Sequence, residues 1–343
     1  MPGTPAEDGF SMPAEWGPHT GSFVSWPCKE STWREHFKEV KKSYTEVIKA
    51  INRFEPVTVL ATSSTIGEAR AALGSDIEII EIELDDSWVR DNGPIFVRNE
   101  DDQVALVNFK FNSWGGKFPP FDADNLVPIR LSDHLKMRRY DAPMVLEGGS
   151  ISVDGGGTLL ATRQCLLNPN RNPEMTREQI ERTLGDYLGI RKVIWLNQGI
   201  VGDLTDGHVD GIACFTRPRT VLIAHTNDKS DPNYNVLKEN LALLQSATDS
   251  KGRSIEIIRL DQARPIDVGG SMITPDYPNH FIVNGGVIVP TYGIPEDRIA
   301  IETLETVYPD REIVGVFGGY LEIGGGGVHC ITQQRPLGLT MPL

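Results

Sequence analysis

The sequence has few cysteines and no long hydrophobic run. Its 343 residues include four cysteines, and no two of them have a CxxC spacing. Scattered cysteines predict neither a zinc site nor a disulfide framework, so we expect no bound metal. No stretch approaches the roughly 18 consecutive apolar residues of a membrane helix. Residues 1–12 lack the basic end and the apolar core of a signal peptide. These absences predict a cytoplasmic protein with no membrane partner.

The sequence also lacks an excess of basic residues. It carries 33 Lys and Arg against 47 Asp and Glu, for a net charge of −14 at pH 7. A surface of that sign repels nucleic acid, which we therefore do not expect as a partner. Negative potential draws in small cations, although an acidic surface can also serve solubility alone. The hydrophobic content of 39% and charged content of 23% fit an ordinary globular protein.

Glycine concentrates just before the most C-terminal cysteine. Gly324–Gly327 run into Val328, His329 and Cys330. Glycine lets other atoms approach the backbone closely, so such a turn could hold the Cys330 sulfur at the rim of a cavity. The alternative is a tight turn that enters a strand, with Cys330 as a small buried apolar residue. This stretch alone favours the alternative, and the rest of the chain decides between the two.

Helical and strand patterns recur along the chain as a repeat. We predict helices at 33–53, 66–73, 175–188, 235–247 and 299–308, and strands at 22–26, 57–61, 77–82, 192–196, 255–260 and 312–316. Hairpins are predicted at 94–111, 151–162, 211–225 and 280–290. Turn residues separate the units at intervals of 56, 63, 57 and 63 residues: Asp91, Glu147, Asp210, Asp267 and Cys330. Five such units predict a closed ring in a single domain over residues 1–343, with these turns converging on its axis.

Convergence of the turns would gather a thiol, a histidine and several carboxylates. These groups are Cys330, His208, Asp91, Glu147 and Asp210, with Asp267 as a further candidate. Packed carboxylates need a cation, because an uncompensated buried charge is costly. A guanidinium fits best, since its N–H groups pair with carboxylates two at a time. A metal ion is the competing solution, and the lack of a two-histidine or Cys/His spacing disfavours it.

A bound guanidinium would present its central carbon to the thiol of Cys330. A thiolate suits that electrophile when a neighbouring cation lowers its pKa. We expect the substrate or protonated His208 to be that cation, because acids around the thiol raise its pKa. His208 and Asp210 share one face of an extended segment, and His208 would protonate the leaving ammonia and then activate water. The simpler alternatives are a buried structural histidine and, for Asp91 after Arg90, a salt-bridged turn.

Motifs along nearly the whole chain resemble the agmatine deiminase family. That family lies within the guanidine-modifying, or pentein, superfamily, which also holds bacterial peptidylarginine deiminase and arginine deiminase. The matching motifs are 12–16 (MPAEW), 25–27 (SWP), 86–94 (DSWVRDNGP), 111–116 (FNSWGG), 146–150 (LEGGS), 167–173 (LNPNRNP), 207–210 (GHVD), 284–290 (NGGVIVP) and 329–334 (HCITQQ). They follow one another in the family's order, which makes the resemblance specific.

The resemblance implies both a fold and a reaction. The fold would be a five-bladed, pseudo-fivefold α/β propeller of ββαβ units with a central active site. The reaction would hydrolyse the guanidinium of agmatine or a relative to a ureido group and ammonia, through a covalent thiouronium on Cys330. No cofactor is implied. A cytoplasmic role in polyamine biosynthesis through putrescine, and a homodimer or homotetramer, would accompany this reaction.

The resemblance also implies roles for individual residues. Cys330 would be the nucleophile and His208 the general acid and base. Asp91 and Asp210 would hydrogen-bond the guanidinium nitrogens, and Glu147 would pair with His208 and the substrate. The residues expected to contact the rest of the substrate are Trp88 as a channel wall, Trp114 and Asp203.

Two departures from the family pattern concern the tail of the substrate. The family usually has an acid directly before Thr205, which helps to hold the distal amine. This chain has Leu204 there and Asp203 one residue earlier. Residues 275–280 also differ from the usual aromatic-rich approach to Asn284. The tail stays open between agmatine, a modified arginine and another guanidino compound, and an amidinotransferase or a non-catalytic guanidine-binding protein are the alternative functions.

Overall fold

The computed structural model describes residues 3–343. Its strands are β1 (His19–Ser25), β2 (Val57–Ala61), β3 (Glu78–Glu81), β4 (Ile95–Arg98), β5 (Gln103–Lys110), β6 (Arg139–Val145), β7 (Ser152–Val153), β8 (Thr158–Thr162), β9 (Lys192–Leu196), β10 (Ala213–Arg217), β11 (Thr220–His225), β12 (Glu256–Asp261), β13 (Ile266–Val268), β14 (Ser271–Ile273), β15 (Phe281–Val283), β16 (Gly286–Thr291), β17 (Glu312–Phe317), β18 (Thr332–Pro336) and β19 (Leu339–Thr340).

The α-helices range from single turns to four turns in length. They are α1 (Glu30–Trp33), α2 (Phe37–Asn52), α3 (Ile66–Leu73), α4 (Val89–Asn92), α5 (Ser113–Gly116), α6 (Val127–Leu135), α7 (Arg163–Leu166), α8 (Arg177–Leu188), α9 (Tyr234–Gln245), α10 (Glu296–Val307) and α11 (Gly319–Ile323). None of the helices within residues 3–343 has the length and apolar character needed to cross a bilayer.

Five sheets repeat one connection pattern. In each, two antiparallel strands are followed by a strand that runs parallel to the second, and the chain passes through a helix between them. The strand orders are β18-β1-β2-β3, β4-β5-β6, β7-β8-β9, β10-β11-β12 and β15-β16-β17, with β19 also beside β5. A separate antiparallel pair, β13-β14, stands outside this pattern. The fold is therefore of the α/β class that the sequence predicts.

The first sheet joins the two ends of the described chain. Strand β1 pairs antiparallel with β18, where Phe23 faces Gln333, and parallel with β2, where Phe23 faces Thr58. Cys330 lies just before β18, so this pairing fixes the thiol beside the N-terminal strand. The tight turn that enters a strand, one of the two interpretations of residues 324–330, is present. The same turn also positions the Cys330 thiol at a cavity, as the other interpretation predicts.

Helix α2 shows how the helices cover the sheets. Its apolar positions recur at three- and four-residue steps and are buried: Val40, Tyr44, Val47, Ile48 and Ile51. They pack against strand residues such as Val59 and Ile288, and burying each large side chain contributes about 1.5–3 kcal/mol. The predicted helix over 33–53 is interrupted, because Arg34 adopts φ 51°, so the continuous part begins at Phe37.

Most predicted elements agree with the structure to within a few residues, but several elements of the structure were not predicted. Helix α6 and strand β6 were not predicted, because α6 is short and Pro143 within β6 is unusual for a strand. The β13-β14 pair was also not predicted, since two three-residue strands leave almost no periodic pattern.

Candidate active site

Four of the five predicted turn residues lie directly before an antiparallel strand pair, and they are buried. Asp91 lies in α4 before β4, Glu147 precedes β7, Asp210 precedes β10 and Cys330 precedes β18. Asp91 and Asp210 are each 4% exposed and Cys330 is 6% exposed. Repetition of the same local structure thus gives the four side chains equivalent positions.

Asp267, the remaining turn residue proposed from the sequence, lies elsewhere. It is an exposed residue of β13, and its Oδ1 accepts a hydrogen bond from the Gly270 N–H at 3.1 Å. The β13-β14 pair is inserted ahead of β15, and Asn279 occupies the position directly before β15. The expectation that Asp267 joins the site is therefore wrong. The sequence did not predict Asn279, because the repeat was defined by acidic turn residues and Cys330.

Gly149 lies at the point where three side chains meet. A Cβ at this position would lie 2.6 Å from His208 Nδ1, 2.8 Å from Asp210 Oδ2 and 2.9 Å from Asp91 Oδ1. Only a glycine allows the histidine and both carboxylates to approach the backbone so closely. The Gly149 N–H also donates to Asp91 Oδ1 at 3.0 Å. This geometry brings together residues that lie more than a hundred positions apart, as the repeat predicts.

Cys330 is held by the turn that carries it and by Asn279. Its Sγ lies 3.6 Å from Asp210 Oδ2 and 3.3 Å from Asn279 Nδ2. Asn279 Oδ1 accepts from the N–H groups of His329 at 2.9 Å and Cys330 at 3.3 Å. A Cβ on Gly326 would lie 3.0 Å from Cys330 Sγ and 2.7 Å from Trp88. The glycine turn therefore passes between the sulfur and Trp88, and no bulkier residue fits there.

Arg90 links α4 to the segment around Cys330 through hydrogen bonds. Its Nε donates to the His329 carbonyl at 3.3 Å and its Nη1 to Gln334 Oε1 at 2.8 Å. The backbone N–H of Arg90 donates to the carbonyl of Cys330 at 3.3 Å. Arg90 therefore orients the turn, and it does not form the salt bridge with Asp91 that was the simpler interpretation of this motif.

His208 is 5% exposed, and neither of its ring nitrogens has a hydrogen-bond partner within residues 3–343. Nδ1 lies 3.8 Å from Asp91 Oδ1 and 4.0 Å from Asp210 Oδ1. Burial alone would lower the pKa of His208, but Asp91, Asp210 and Glu147 raise it above its usual value. The acids thus favour the protonated imidazole, and its nitrogens are available to a ligand, unlike those of a structural histidine, which would be satisfied.

The carboxylates raise the pKa of the thiol. Burial, together with Asp210 and Asp91, raises the pKa of Cys330 well above its usual value. Burial also raises the pKa of Asp91, whereas for Asp210 the histidines His329 and His208 outweigh burial and lower the pKa. The site without ligand therefore combines a neutral thiol with an ionised Asp210.

His329 connects Asp210 to Glu15. Its Nδ1 lies 2.9 Å from Asp210 Oδ2 and its Nε2 lies 3.0 Å from Glu15 Oε2. A carboxylate on each side favours an imidazolium, and the two acids raise the pKa of His329 despite burial and Arg90. Sequence reasoning did not assign a role to His329 or Glu15, although both fall within motifs that carry the family resemblance.

Glu147 pairs with Arg171 and not with His208. Glu147 Oε1 accepts from Arg171 Nε at 2.6 Å, and both side chains are 1% exposed. One atom each of Glu147, His208 and Cys165 lies within 4.8 Å of the others, which is close enough to consider a metal ion. Burial and Glu147 raise the pKa of Cys165 well above its usual value, however. Oε1 of Glu147 is already engaged in the ion pair with Arg171, so this carboxylate serves the buried charge pair in the described structure.

Two cavities meet at Cys330. The larger, of about 400 Å³, is shared with His208 and Asp210. The smaller, of about 280 Å³, is shared with Trp88, Trp114 and Asp91. Trp114 Nε1 donates to Asp91 Oδ2 at 2.9 Å, so this residue orients a carboxylate as well as lining the wall.

The loop around Thr205 borders both cavities. Leu204 is 47% exposed and lines both of them. Asp203 lines the larger cavity, but its carboxylate accepts hydrogen bonds from the Thr205 N–H at 2.9 Å, the Thr205 hydroxyl at 2.6 Å and the Gly207 N–H. Both oxygens of Asp203 are thus occupied in closing their own loop.

Comparisons with known proteins agree on one family. The family described as Porphyromonas-type peptidyl-arginine deiminase matches residues 11–336. An agmatine deiminase of Pseudomonas savastanoi pv. phaseolicola is 43% identical over 97% of this chain and 97% of its own. The solved agmatine deiminase of Enterococcus faecalis is 38% identical and has a TM-score of 0.94, with 98% of both chains covered.

A more distant structure shares the fold alone. A solved dimethylarginine dimethylaminohydrolase is 13% identical and has a TM-score of 0.52, with 92% of this chain and 99% of its own covered. The pentein type of α/β fold and the family resemblance read from the sequence are therefore confirmed. Because the match extends over nearly the whole chain, the protein belongs to the Porphyromonas-type peptidyl-arginine deiminase family.

Proposed function

We propose that this protein hydrolyses the guanidinium group of agmatine, or of a close relative, to a ureido group and ammonia. The observation that carries the proposal is the placement of Cys330 Sγ in one cavity with His208 and Asp210. The sulfur lies 3.6 Å from Asp210, and the His208 nitrogens have no partner within the described chain. Similarity along the full length to proteins named agmatine deiminases supports the same reaction.

Asp91 and Asp210 bind the guanidinium in this proposal. One oxygen of each carboxylate lies within 2.9 Å of the point defined by Gly149, so the two acids face a common centre. A flat cation between them receives hydrogen bonds along two edges, which orients its central carbon toward Cys330. Trp88 forms the wall beside the sulfur, and Trp114 keeps Asp91 in place.

The first half-reaction forms a bond between Cys330 and the substrate. When the substrate binds, the Cys330 thiol releases its proton to solvent, and the resulting thiolate attacks the guanidinium carbon to form a C–S bond. The C–N bond to one terminal nitrogen then breaks, and that nitrogen takes the proton of His208 and leaves as ammonia. Nucleophile and general acid thus split one difficult substitution into two easier steps. The product of this half is a thiouronium on Cys330 and a neutral His208.

The second half-reaction releases the ureido product. Neutral His208 takes a proton from water while the water oxygen bonds to the thiouronium carbon. The C–S bond breaks, the sulfur leaves as a thiolate, and the oxygen gives its second proton to solvent as the C=O bond of the ureido group forms. When the product leaves, the thiolate takes up a proton from solvent, so the free site again holds a neutral thiol and protonated His208. Water is the only reagent consumed besides the substrate.

Substrate binding activates the thiol. In the free site, burial and the nearby acids hold the pKa of Cys330 well above its usual value. A guanidinium placed between the sulfur and the carboxylates adds a positive charge within contact distance, and this charge lowers the thiol pKa. Glu147 contributes indirectly: it helps to raise the pKa of His208 and is itself fixed by Arg171.

The wider expectations from the sequence belong to the same proposal. We infer that the five sheets surround one axis as a pseudo-fivefold propeller of ββαβ units, in a single domain over residues 1–343. Their shared connection pattern and the equivalent positions of Asp91, Glu147, Asp210 and Cys330 support this arrangement. We also infer a cytoplasmic enzyme of polyamine biosynthesis through putrescine, which forms a homodimer or homotetramer and does not bind nucleic acid.

The test is an assay for the ureido product and ammonia from agmatine, with purified wild-type protein and Cys330→Ala. The variant should lose roughly 10⁴-fold or more of kcat. The control is Cys28→Ala, which removes a thiol outside the site and should leave kcat unchanged. A mass increase on Cys330 during turnover would report the covalent intermediate.

Three outcomes would contradict the proposal. Wild-type turnover by Cys330→Ala would exclude the thiol mechanism. Binding of agmatine in calorimetry without ammonia release would indicate a non-catalytic guanidine-binding protein. Transfer of the amidino group to added glycine, without ureido product, would indicate an amidinotransferase.

A further inference from the structure

The larger cavity, which Cys330 lines, is also lined by two carboxylates that the proposed mechanism does not use. Asp276 lies in the segment between β14 and β15, and Glu322 lies in α11; both line this cavity. The hydroxyl of Tyr292 joins them, because it accepts from the Asp276 N–H at 2.8 Å and donates to Glu322 Oε1 at 3.0 Å. Tyr292 therefore fixes the backbone of Asp276 and the carboxylate of Glu322 in the cavity wall.

Two side chains that line this cavity have unsatisfied polar atoms. Asp276 Oδ1 is buried and has no hydrogen-bond partner within residues 3–343. His208 is 5% exposed, and neither ring nitrogen has a partner in the same part of the chain. Buried polar atoms are normally paired, and those that are not call for a ligand or water. A single ligand with polar groups at its two ends would satisfy both.

The charge of the cavity specifies the sign of that ligand. Among the residues that line it in the described chain there is no Lys or Arg, while four are acids. Asp203 is occupied by its own loop and Asp210 by His329. Asp276 and Glu322 have no salt bridge to any residue described. Burial raises the pKa of both, with a further rise in Asp276 from Glu322. A cation between them would reverse that effect.

We propose that Asp276 and Glu322 bind a distal cationic amine of the guanidino substrate. The substrate is then a dication, with its guanidinium at Cys330 and a primary or secondary ammonium at this carboxylate pair. The inference rests on the proposed function and adds the tail specificity that the sequence left open. The cavity of about 400 Å³ falls in the range of small-molecule sites.

Apolar side chains in the cavity wall suit a hydrocarbon linker. Leu204 and Ile323 line the larger cavity and also border the smaller one. Leu204 has no charge to offer an amine, so it contributes apolar contact to the methylene groups. A substrate with a carboxylate on its tail, such as a free amino acid, would place like charges beside Asp276 and Glu322 and be rejected.

The experiment compares two substrates that differ only at the distal end. Agmatine carries a terminal ammonium, and pentylguanidine has a methyl group in its place. Wild-type protein should have a kcat/KM at least ~10-fold higher for agmatine, because a hydrogen-bonded ion pair is lost with pentylguanidine. Asp276→Asn and Glu322→Gln should each lower kcat/KM for agmatine by ~10- to 100-fold, mainly through KM. Neither substitution should lower kcat/KM for pentylguanidine.

The matched control is Glu302→Gln on the exposed face of α10, which removes the same charge outside the cavity. It should leave both substrates unaffected. The inference is overturned if wild-type protein treats the two substrates alike, a result that needs no variant. It is also overturned if the variants lose both substrates equally, or if chelators abolish the agmatine preference and added Mg²⁺ or Ca²⁺ restores it, which would assign the pair to a metal. If wild-type protein turns over neither substrate, the proposed function itself has failed.

Discussion

The site contains two pairs of carboxylates with very different surroundings. Asp91 and Asp210 each receive hydrogen bonds from the protein: Asp91 from Gly149 and Trp114, Asp210 from His329. In the second pair, Glu322 accepts from the Tyr292 hydroxyl, which itself accepts from the backbone N–H of Asp276. The Asp276 carboxylate keeps a buried oxygen without a partner within residues 3–343. The first pair is preorganised for one flat cation. The charges of the second pair are compensated only when a cationic ligand binds. The second pair therefore selects among the guanidinium compounds that the first pair accepts.

The strongest test of this contrast is Asp91→Asn. Loss of the carboxylate removes one side of the guanidinium site and leaves the other charge imperfectly compensated, so we expect kcat/KM to fall about 10³-fold. The loss should be the same for agmatine and pentylguanidine, because both carry the guanidinium. The assay is the same ureido measurement. A loss of kcat/KM confined to agmatine would contradict the proposal that Asp91 binds the guanidinium and the other pair binds the distal amine.

The next largest effect should come from Gly149→Ala. The added methyl group would lie 2.6 Å from His208 Nδ1 and 2.8 Å from Asp210 Oδ2, so these side chains must move apart. Overpacking of this kind costs about 1–3 kcal/mol, and we expect kcat to fall about 100-fold with a lower Tm. Gly67→Ala serves as the control, because a Cβ there meets no atom within 4 Å. Full activity of Gly149→Ala would mean that the three groups need not meet at this point.

The smallest effect concerns the reactivity of the free thiol. Burial, Asp210 and Asp91 raise the pKa of Cys330, so the thiolate fraction near pH 7 is small and grows as the pH rises. Alkylation of Cys330 by iodoacetamide should therefore accelerate with pH and reach no plateau near pH 8. In Asp91→Asn the acceleration should begin at lower pH, with a rate near pH 7 about 10-fold higher.

Mass spectrometry of the Cys330 peptide measures the alkylation rate separately from the other three cysteines. Asp276→Asn is the matched comparison, since Asp276 is not among the main groups that raise the pKa of this thiol. A plateau below pH 7 in the wild-type protein would indicate that the acids do not control the thiol.

Much of the fold was predictable because its elements carry strong local patterns. The helix at 66–73 and the strands at 57–61 and 192–196 have the predicted bounds, since each is marked by its own periodicity. The spacing of the turns also predicted that Asp91, Asp210 and Cys330 would meet. The helices and strands depend on residues that are close in sequence. The meeting of the turn residues depends on a repeat, because residues at the same place in each repeat occupy equivalent positions in the fold.

The remainder of the site depends on contacts that leave no local pattern. His329 bonds to Glu15 across 314 positions, and nothing near either residue indicates the other. Asp267 was chosen because it is acidic and falls at the expected interval, but the β13-β14 insertion shifts the true position to Asn279. The pairing of Glu147 with Arg171 and the self-contained hydrogen bonds of Asp203 are likewise visible only in three dimensions.

The pairing of β18 with β1 determines when during synthesis the enzyme can become active. β1 ends at Ser25 and its antiparallel partner begins at Thr332, so a growing chain exposes one hydrogen-bonding edge of β1 until the strand Thr332–Pro336 has been synthesised. An open edge invites association with other chains, and closing so long a loop is slow. The same docking event that protects this edge also brings the nucleophile to its acids. A nascent chain is therefore most vulnerable to aggregation while its active site is still incomplete and inactive.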